Sequence, residues 1–183
     1  VGSEMCIRDR LGEEYAAFYA SYDLPKYQAL RINPLKTERD TFLLQAPFSL
    51  NRVPWTTNGY YYSGNDQPGR HPYHEAGVYY IQEPSAMAPA EYLMAEPGER
   101  ILDLCAAPGG KSSQIACSMQ GEGLIVCNEI HPARAKILSE NIERMGVCNA
   151  LVTNETPQKL SDNFREYFDR ILAVSYTHLR AHE

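Results

Sequence analysis

The rhythm of apolar and polar positions changes near residue 80. Before it, Leu11, Tyr15, Phe18, Tyr19 and Tyr22 recur at helical spacing, and Pro25 is expected to close that helix. Tyr27 to Ile32 reads as a strand, stopped by Asn33-Pro34. Thr37 is placed to cap a short helix through about Leu44, which Pro47 ends. Residues 47–76, rich in Pro, Gly, Asn and Tyr, read as turns and short strands, and Val78 to Ile81 as a strand. Pro84-Ser85 opens a helix through about Ala95, and Pro97-Gly98 ends it.

After that point come four short apolar runs: Arg100 to Cys105, Leu124 to Cys127, Ala150 to Thr153 and Phe168 to Val174. Helical stretches at about 111–120 and 132–145 separate the first three. The second stretch has Pro132 at its start, Ala135, Leu138, Ile142 and Met145 on one face, and Gly146 at its end. Apolar strands alternating with amphipathic helices predict a parallel sheet with crossover helices. The expected fold class is therefore α/β. A small α+β segment over 11–80 precedes a partial doubly wound domain of about four strands over 81–173.

The two ends break the patterns beside them. Residues 1–10 (VGSEMCIRDR) and 174–183 (VSYTHLRAHE) resemble translated sequencing-adapter segments and are expected to be non-native. His178 and His182 have the spacing of a helical metal pair, but in a segment of that origin no metal site is expected. Of the 183 residues, 44% are apolar and 22% charged, which suits a packed core. The longest apolar runs fall short of a membrane span, so no membrane partner is expected; separately, the protein is expected to be cytoplasmic and a monomer. Five cysteines, at 6, 105, 117, 127 and 148, lack C-x-x-C spacing, and buried reduced thiols are the expected reading. A net charge of -6 opposes nucleic-acid binding by bulk charge but not by a local face.

Asp103-Leu-Cys-Ala-Ala-Pro-Gly-Gly-Lys111 sits where the first parallel strand gives way to a helix, the end of such sheets that binds ligands. Ala106, Ala107, Gly109 and Gly110 let a ligand approach the backbone, and Pro108 stiffens the turn. The pattern is neither G-x-G-x-x-G nor a P-loop, so a pyrophosphate is not implied. Lys111 stands in the first helical turn, where the dipole disfavours a cation; it either meets a negative group or points to solvent. Glu129 follows the second strand at the spacing of an acid that accepts ribose hydroxyls, or it is an exposed loop acid. Asn154-Glu155-Thr156-Pro157 follows the third strand and reads either as an adenine contact or as a helix cap. A nucleoside cofactor without a pyrophosphate fits S-adenosylmethionine. Residues 24–80 carry six basic and four acidic residues and seven of the thirteen tyrosines, including Tyr60-Tyr61-Tyr62. That mixture suits single-stranded RNA, or ordinary packing.

With these residues in view, the segment 103–111 resembles the S-adenosylmethionine motif of the Sun/Nop-type RNA (cytosine-5) methyltransferases. Leu30 to Lys36, Tyr80 to Met87, and Glu129 with Arg134 agree with it. The likeness covers nearly all of 11–173 and is closest to the bacterial ribosomal-RNA branch of RsmF type. It implies a Rossmann-like class I methyltransferase sheet and S-adenosyl-L-methionine as cofactor. The implied cofactor residues are Cys105, Ala106, Ala107, Pro108, Gly109, Gly110, Lys111, Glu129, Arg134, Asn154 and Glu155. It also implies an RNA partner, of ribosomal type, held through Arg31, Lys36, Tyr80 and Gln82.

One departure bears on catalysis. The family follows its fourth strand with Asp-Ala-Pro-Cys and carries a second cysteine further on. Here the family pattern stops at Ala173. Val174 stands at the acid's position, and residues 149–183 hold no cysteine. In the family a cysteine thiolate adds to the cytosine ring, making C5 nucleophilic, and an acid near the ring nitrogen stabilises the developing charge. With that nucleophile missing beyond Ala173, no catalytic residue is assigned, and the chain as written is expected to be an inactive fragment. The alternatives are a non-catalytic cofactor- or RNA-binding module, a methyltransferase acting on protein or small molecules, and a nicotinamide-dependent oxidoreductase.

Overall fold

The computed structural model describes residues 2–24 and 26–174. Pro25, His178 and His182, and with them the expected helix stop and the 175–183 tail, lie outside the described residues. Helices α1 (Gly2–Leu11) and α2 (Tyr15–Ala20) open the chain, joined by a short 3-10 turn. Residues 2–10, set aside on sequence as foreign, are thus helical, within the same helix as Leu11. No helix among the described residues is long and apolar enough to cross a membrane.

An antiparallel sheet follows. It comprises β1 (Ala29–Ile32), β2 (Leu50–Arg52), β3 (Gly59–Tyr62) and β4 (Tyr79–Ile81), in the order β2-β3-β1-β4. The period-2 alternation gives its two faces different tasks. Leu30, Ile32, Tyr60 and Tyr79 pack on Phe42 of α3 (Arg39–Gln45) as a separate core. Arg31 stands opposite Gly59 and Tyr80 on the other face. Glu38, not Thr37, caps α3, because its carboxylate reaches the Thr41 N–H at 2.8 Å. A short helix α4 (Pro72–Glu75), unforeseen within the turn-rich stretch, precedes β4.

Helix α5 (Pro84–Leu93) leads into the second sheet. Its strands β5 (Arg100–Asp103), β6 (Leu124–Asn128), β7 (Ala150–Thr153) and β8 (Arg170–Leu172) are parallel, in the order β7-β6-β5-β8. Helices α6 (Gly110–Met119), α7 (Pro132–Arg144) and α8 (Pro157–Asn163) connect them. On one face Ile101, Ile125 and Cys127 pack with Ile115, Met119, Leu138 and Ile142. On the other, Leu102 and Val126 pack with Leu160 of α8. Helices on both faces confirm the doubly wound α/β class read from the sequence. Arg170 Nε, 2.9 and 2.8 Å from the two Glu99 oxygens, ties β8 to the entrance of β5. The strand order reverses between β5 and β8, so the carboxyl end of β5 is the switch point where such sheets bind ligands.

Candidate cofactor site

The turn leaving β5 is held in place from several sides. Ala106 N–H donates to Asn128 O at 2.8 Å, and Gly109 N–H to Ala106 O at 2.8 Å. The Ala107–Pro108 peptide is cis. Gly109 has φ +107°, a conformation a side chain resists, and a Cβ on Gly110 would meet the Tyr80 ring at 3.1 Å. These two glycines therefore serve backbone geometry and close packing, as well as leaving room for a ligand.

Asp103, 2% exposed at the end of β5, accepts the Ser112 hydroxyl at 2.7 Å. Burial pushes its carboxyl up to about 6, although the Ser112 bond and nearby Lys111 pull the other way. Lys111 is half-buried, with no hydrogen bond or ion pair through Nζ among the described residues.

Glu129 is not the exposed loop acid that one reading allowed. It is 3% exposed, accepting the His131 N–H at 3.1 Å on one oxygen and pairing with Arg134 Nη1 at 3.2 Å on the other. Arg134 Nη2 donates to Ala107 O at 2.9 Å, so this guanidinium brackets the small-residue turn to the acid. Asn154 Nδ2 donates to Glu129 O at 2.6 Å. The Glu155 carboxylate pairs with Lys159 at 2.9 Å. Thr156 caps α8 by accepting Lys159 N–H, so the 154–157 segment does provide a helix cap. The structure thus gathers Cys105 to Lys111, Glu129, Arg134, Asn154 and Glu155 along one edge of the parallel sheet.

Sequence reading missed two residues that build this edge. Asn128 Nδ2 donates to Leu104 O and Glu155 O, while its Oδ1 accepts the Thr153 hydroxyl and Glu155 N–H. It stitches three strand ends together. Asn141 Nδ2 holds Pro108 O at 2.8 Å. A polar residue closing the apolar run 124–127 was the one signal for Asn128.

The four residues expected on RNA are placed differently. Arg31 is 1% exposed. Its Nε donates to Gln82 Oε1 at 3.1 Å, and its Nη2 to Gly110 O at 3.1 Å and Ser113 Oγ at 2.8 Å. Its Nη1 lies 3.7 Å from Cys117 Sγ. Gln82 is buried and donates to Ala86 O at 3.0 Å. The Tyr80 ring lies between the guanidiniums of Arg31 and Arg144, against Gly110. Lys36 Nζ donates to Ala76 O and Arg144 O, each at 2.7 Å. These side chains join the antiparallel sheet to α6 and α7. The polar groups of Arg31 and Gln82 are engaged by protein carbonyls, amides and hydroxyls, and Lys36, though exposed, gives two of its ammonium donors to backbone carbonyls. A cavity of about 150 Å3 beside Arg31, lined also by Glu91 and Gln114, lies in this junction and not at the β5 turn.

The cysteines divide. Cys117 and Cys127 are buried, and burial pushes the Cys127 thiol up to about 12. Cys6, Cys105 and Cys148 are exposed, against the expectation of buried thiols. Cys105 lies past the end of β5 and not in a strand interior, as the apolar run had implied. The fourth strand is likewise shorter than its apolar run, which had been read through to Val174. It ends at Leu172, so Ala173 is the first residue beyond β8. Ala173 is exposed there, and its methyl group offers no catalytic chemistry. Val174, at the position where the family resemblance places an acid, packs partly buried against the main core.

Residues 5–84 match the family model of the N-terminal domain of 16S rRNA methyltransferase RsmF, and residues 90–174 that of 16S rRNA methyltransferase RsmB/F. Ribosomal RNA small subunit methyltransferase F of Citrobacter koseri is 38% identical over 164 residues, 85% of this chain and 34% of that protein. The chain spans about a third of the length of the curated relatives it matches. The crystal structure of a methyltransferase homolog protein from Pyrococcus horikoshii superposes with a TM-score of 0.80 at 30% identity, covering 89% of this chain and 55% of that one. That of PH0851 has a TM-score of 0.84 at 23% identity, covering 93% and 40%, and shares the fold. With the two family models following one another over nearly the whole described chain, it belongs to the S-adenosylmethionine-dependent RsmB/F methyltransferases, in their RsmF branch.

Proposed function

We propose that this chain is the cofactor-binding part of a protein that methylates C5 of a cytosine in small-subunit ribosomal RNA. Residues 11–80 form the RNA-side segment and residues 81–173 the S-adenosylmethionine domain. The observation that carries the reading is the bracket Ala107–Arg134–Glu129, which fixes a buried carboxylate beside a turn of small residues at the switch point.

The donor set fits the cofactor. Each Glu129 oxygen has one protein partner and retains a lone pair for a ribose hydroxyl. The backbone from Cys105 to Gly110 faces the methionine part, and Asn154 and Glu155 stand on the adenine side. Lys111, whose charge already acts on the Asp103 carboxyl and whose Nζ makes no hydrogen bond among the described residues, answers a negative group of the ligand. When bound, S-adenosylmethionine supplies an electrophilic methyl group on a sulfonium. The chain's own work is to bind and orient it.

Turnover needs more than this edge supplies. The sequence holds no cysteine after Cys148, and Cys127, with its thiol pushed up to about 12, stays protonated at neutral pH. With no cysteine at the position where the family resemblance places the nucleophile, we read the chain as binding the cofactor without methylating cytosine. Isothermal titration with S-adenosylmethionine, paired with a labelled-methyl transfer assay on 16S rRNA, tests both halves. Binding with no transfer is expected. An absence of binding would sink the cofactor assignment, and robust transfer to cytosine C5 would sink the claim of incompetence.

A further inference from the structure

With Arg31 and Gln82 buried at the junction of the two halves and Lys36 and Tyr80 in contact across it, a further exposed combination of cation and aromatic rings stands at the end of the antiparallel sheet. Lys26, Tyr27, Gln28, Tyr61 and Tyr62 line an open cavity of about 380 Å3 there. Tyr27 is 78% exposed. Its ring centroid is 5.6 Å from that of Tyr61, with the planes 55° apart. A ring so exposed adds little to the core, and the tilt leaves much of its surface uncovered.

The platform is nonetheless anchored. Tyr61 packs on Ala29, Val53 and Met87, which holds its ring against Tyr27. Tyr62 N–H donates to Gln28 O at 3.1 Å, continuing the ladder beneath the site. Lys26 carries the one charge among the lining residues, and Gln28 offers both an amide donor and an acceptor. Stacking surface, edge-reading amide and cation are the three elements that recognise an unpaired base and its phosphate. The volume sits at the small end of the roughly 300–1,000 Å3 range of ligand pockets. It has the scale of a nucleotide and not of a duplex.

We propose that this cavity is a stacking site for one base of single-stranded RNA, with Tyr27 on the base and Lys26 on the adjoining phosphate. The proposal rests on the RNA reading above and gives it a location. Tyr61 stands opposite Ala29, on the sheet face from which Arg31 reaches Gly110. At about 3.3 Å per strand residue, Tyr27 lies roughly 13 Å along the chain from Arg31. The site is therefore on the side of the sheet turned toward the β5 turn.

Fluorescence anisotropy with a short labelled single-stranded RNA, titrated at several salt concentrations, tests it on the intact chain. Tyr27→Ala should weaken binding roughly five- to hundredfold, while Tyr27→Phe, which keeps the ring, should bind as the parent does. Lys26→Gln should lower the slope of log affinity against log salt by about 0.7. Both side chains are exposed, so all three variants should keep the parent's melting temperature. Parent-like binding by Tyr27→Ala overturns this site and leaves the RNA reading standing. Equal competition by duplex RNA overturns it as well. Failure of the parent chain to bind any RNA overturns both.

Discussion

Replacing Arg31 by Met tests the junction between the two sheets at its centre. Methionine keeps an unbranched side chain of similar reach but donates no hydrogen bond. Three oxygen acceptors lose the guanidinium: Gln82 Oε1, Gly110 O and Ser113 Oγ. A buried neutral group left without its partner costs about 1–3 kcal/mol. Two offsets reduce the sum. The Ser113 hydroxyl still donates to Gly110 O at 3.2 Å, and the substitution removes a cation that burial already disfavours. A net loss of about 2–4 kcal/mol remains, out of the 5–15 kcal/mol typical of a domain. For a chain of this size that is a fall in melting temperature of roughly 4–16 °C, readable by calorimetry. Cofactor affinity should fall in the folded fraction too, because Arg31 holds the carbonyl of Gly110. An unchanged melting temperature and unchanged cofactor affinity would refute the assignment of Arg31 to the junction.

Two further substitutions separate the roles of the acids. Asp103 has its carboxyl raised to about 6 by burial, so between about pH 4 and pH 6 the folded chain holds a proton that the unfolded chain has lost. Stability from this group is therefore full below about pH 4 and declines as pH rises to 6, by about 3 kcal/mol in all. Asp103→Asn should remove that decline, and parallel denaturation curves for parent and variant across this window would contradict it. Glu129→Gln should weaken S-adenosylmethionine binding about tenfold or more by titration calorimetry, since it removes the charge that strengthens bonds from ribose hydroxyls. An unchanged affinity would remove Glu129 from the cofactor site.

The sheet that positions the site was legible because its strands are near-continuous apolar runs and its helices carry apolar stripes. The turn from Asp103 to Lys111 was legible because small residues at a strand end have few other uses. The packing partners of Arg31 and Tyr80 were not legible, for a physical reason. A cation beside an aromatic ring has the same composition whether it faces a nucleic acid or a protein backbone. What decides is the residue packed opposite, here Gly110, whose lack of a side chain admits the Tyr80 ring. The cap of α3 shows the same limit at short range. Thr37 and Glu38 both offer an oxygen, and only the backbone register selects Glu38. Helix α8 was signalled only by the cap reading at 154–157, because Leu160 is its single buried residue, which leaves no periodic stripe to read.

The change of rhythm near residue 80 marks two sheets but not two independent units. Asn33, fully buried after β1, donates from one amide nitrogen to Gly77 O and Met145 O, each at 2.8 Å. Lys36 reaches the Arg144 carbonyl at the end of α7, where the helix dipole favours a cation. Arg31 reaches the start of α6. Each of these groups belongs to the antiparallel sheet or the loop after it and finds an acceptor on the parallel half. A buried guanidinium and amide cannot be left without acceptors at less than several kcal/mol in total. The conformation of the turn from Cys105 to Gly110 therefore depends on the antiparallel sheet being folded against it, and the two regions matched by separate family models act as one structural body.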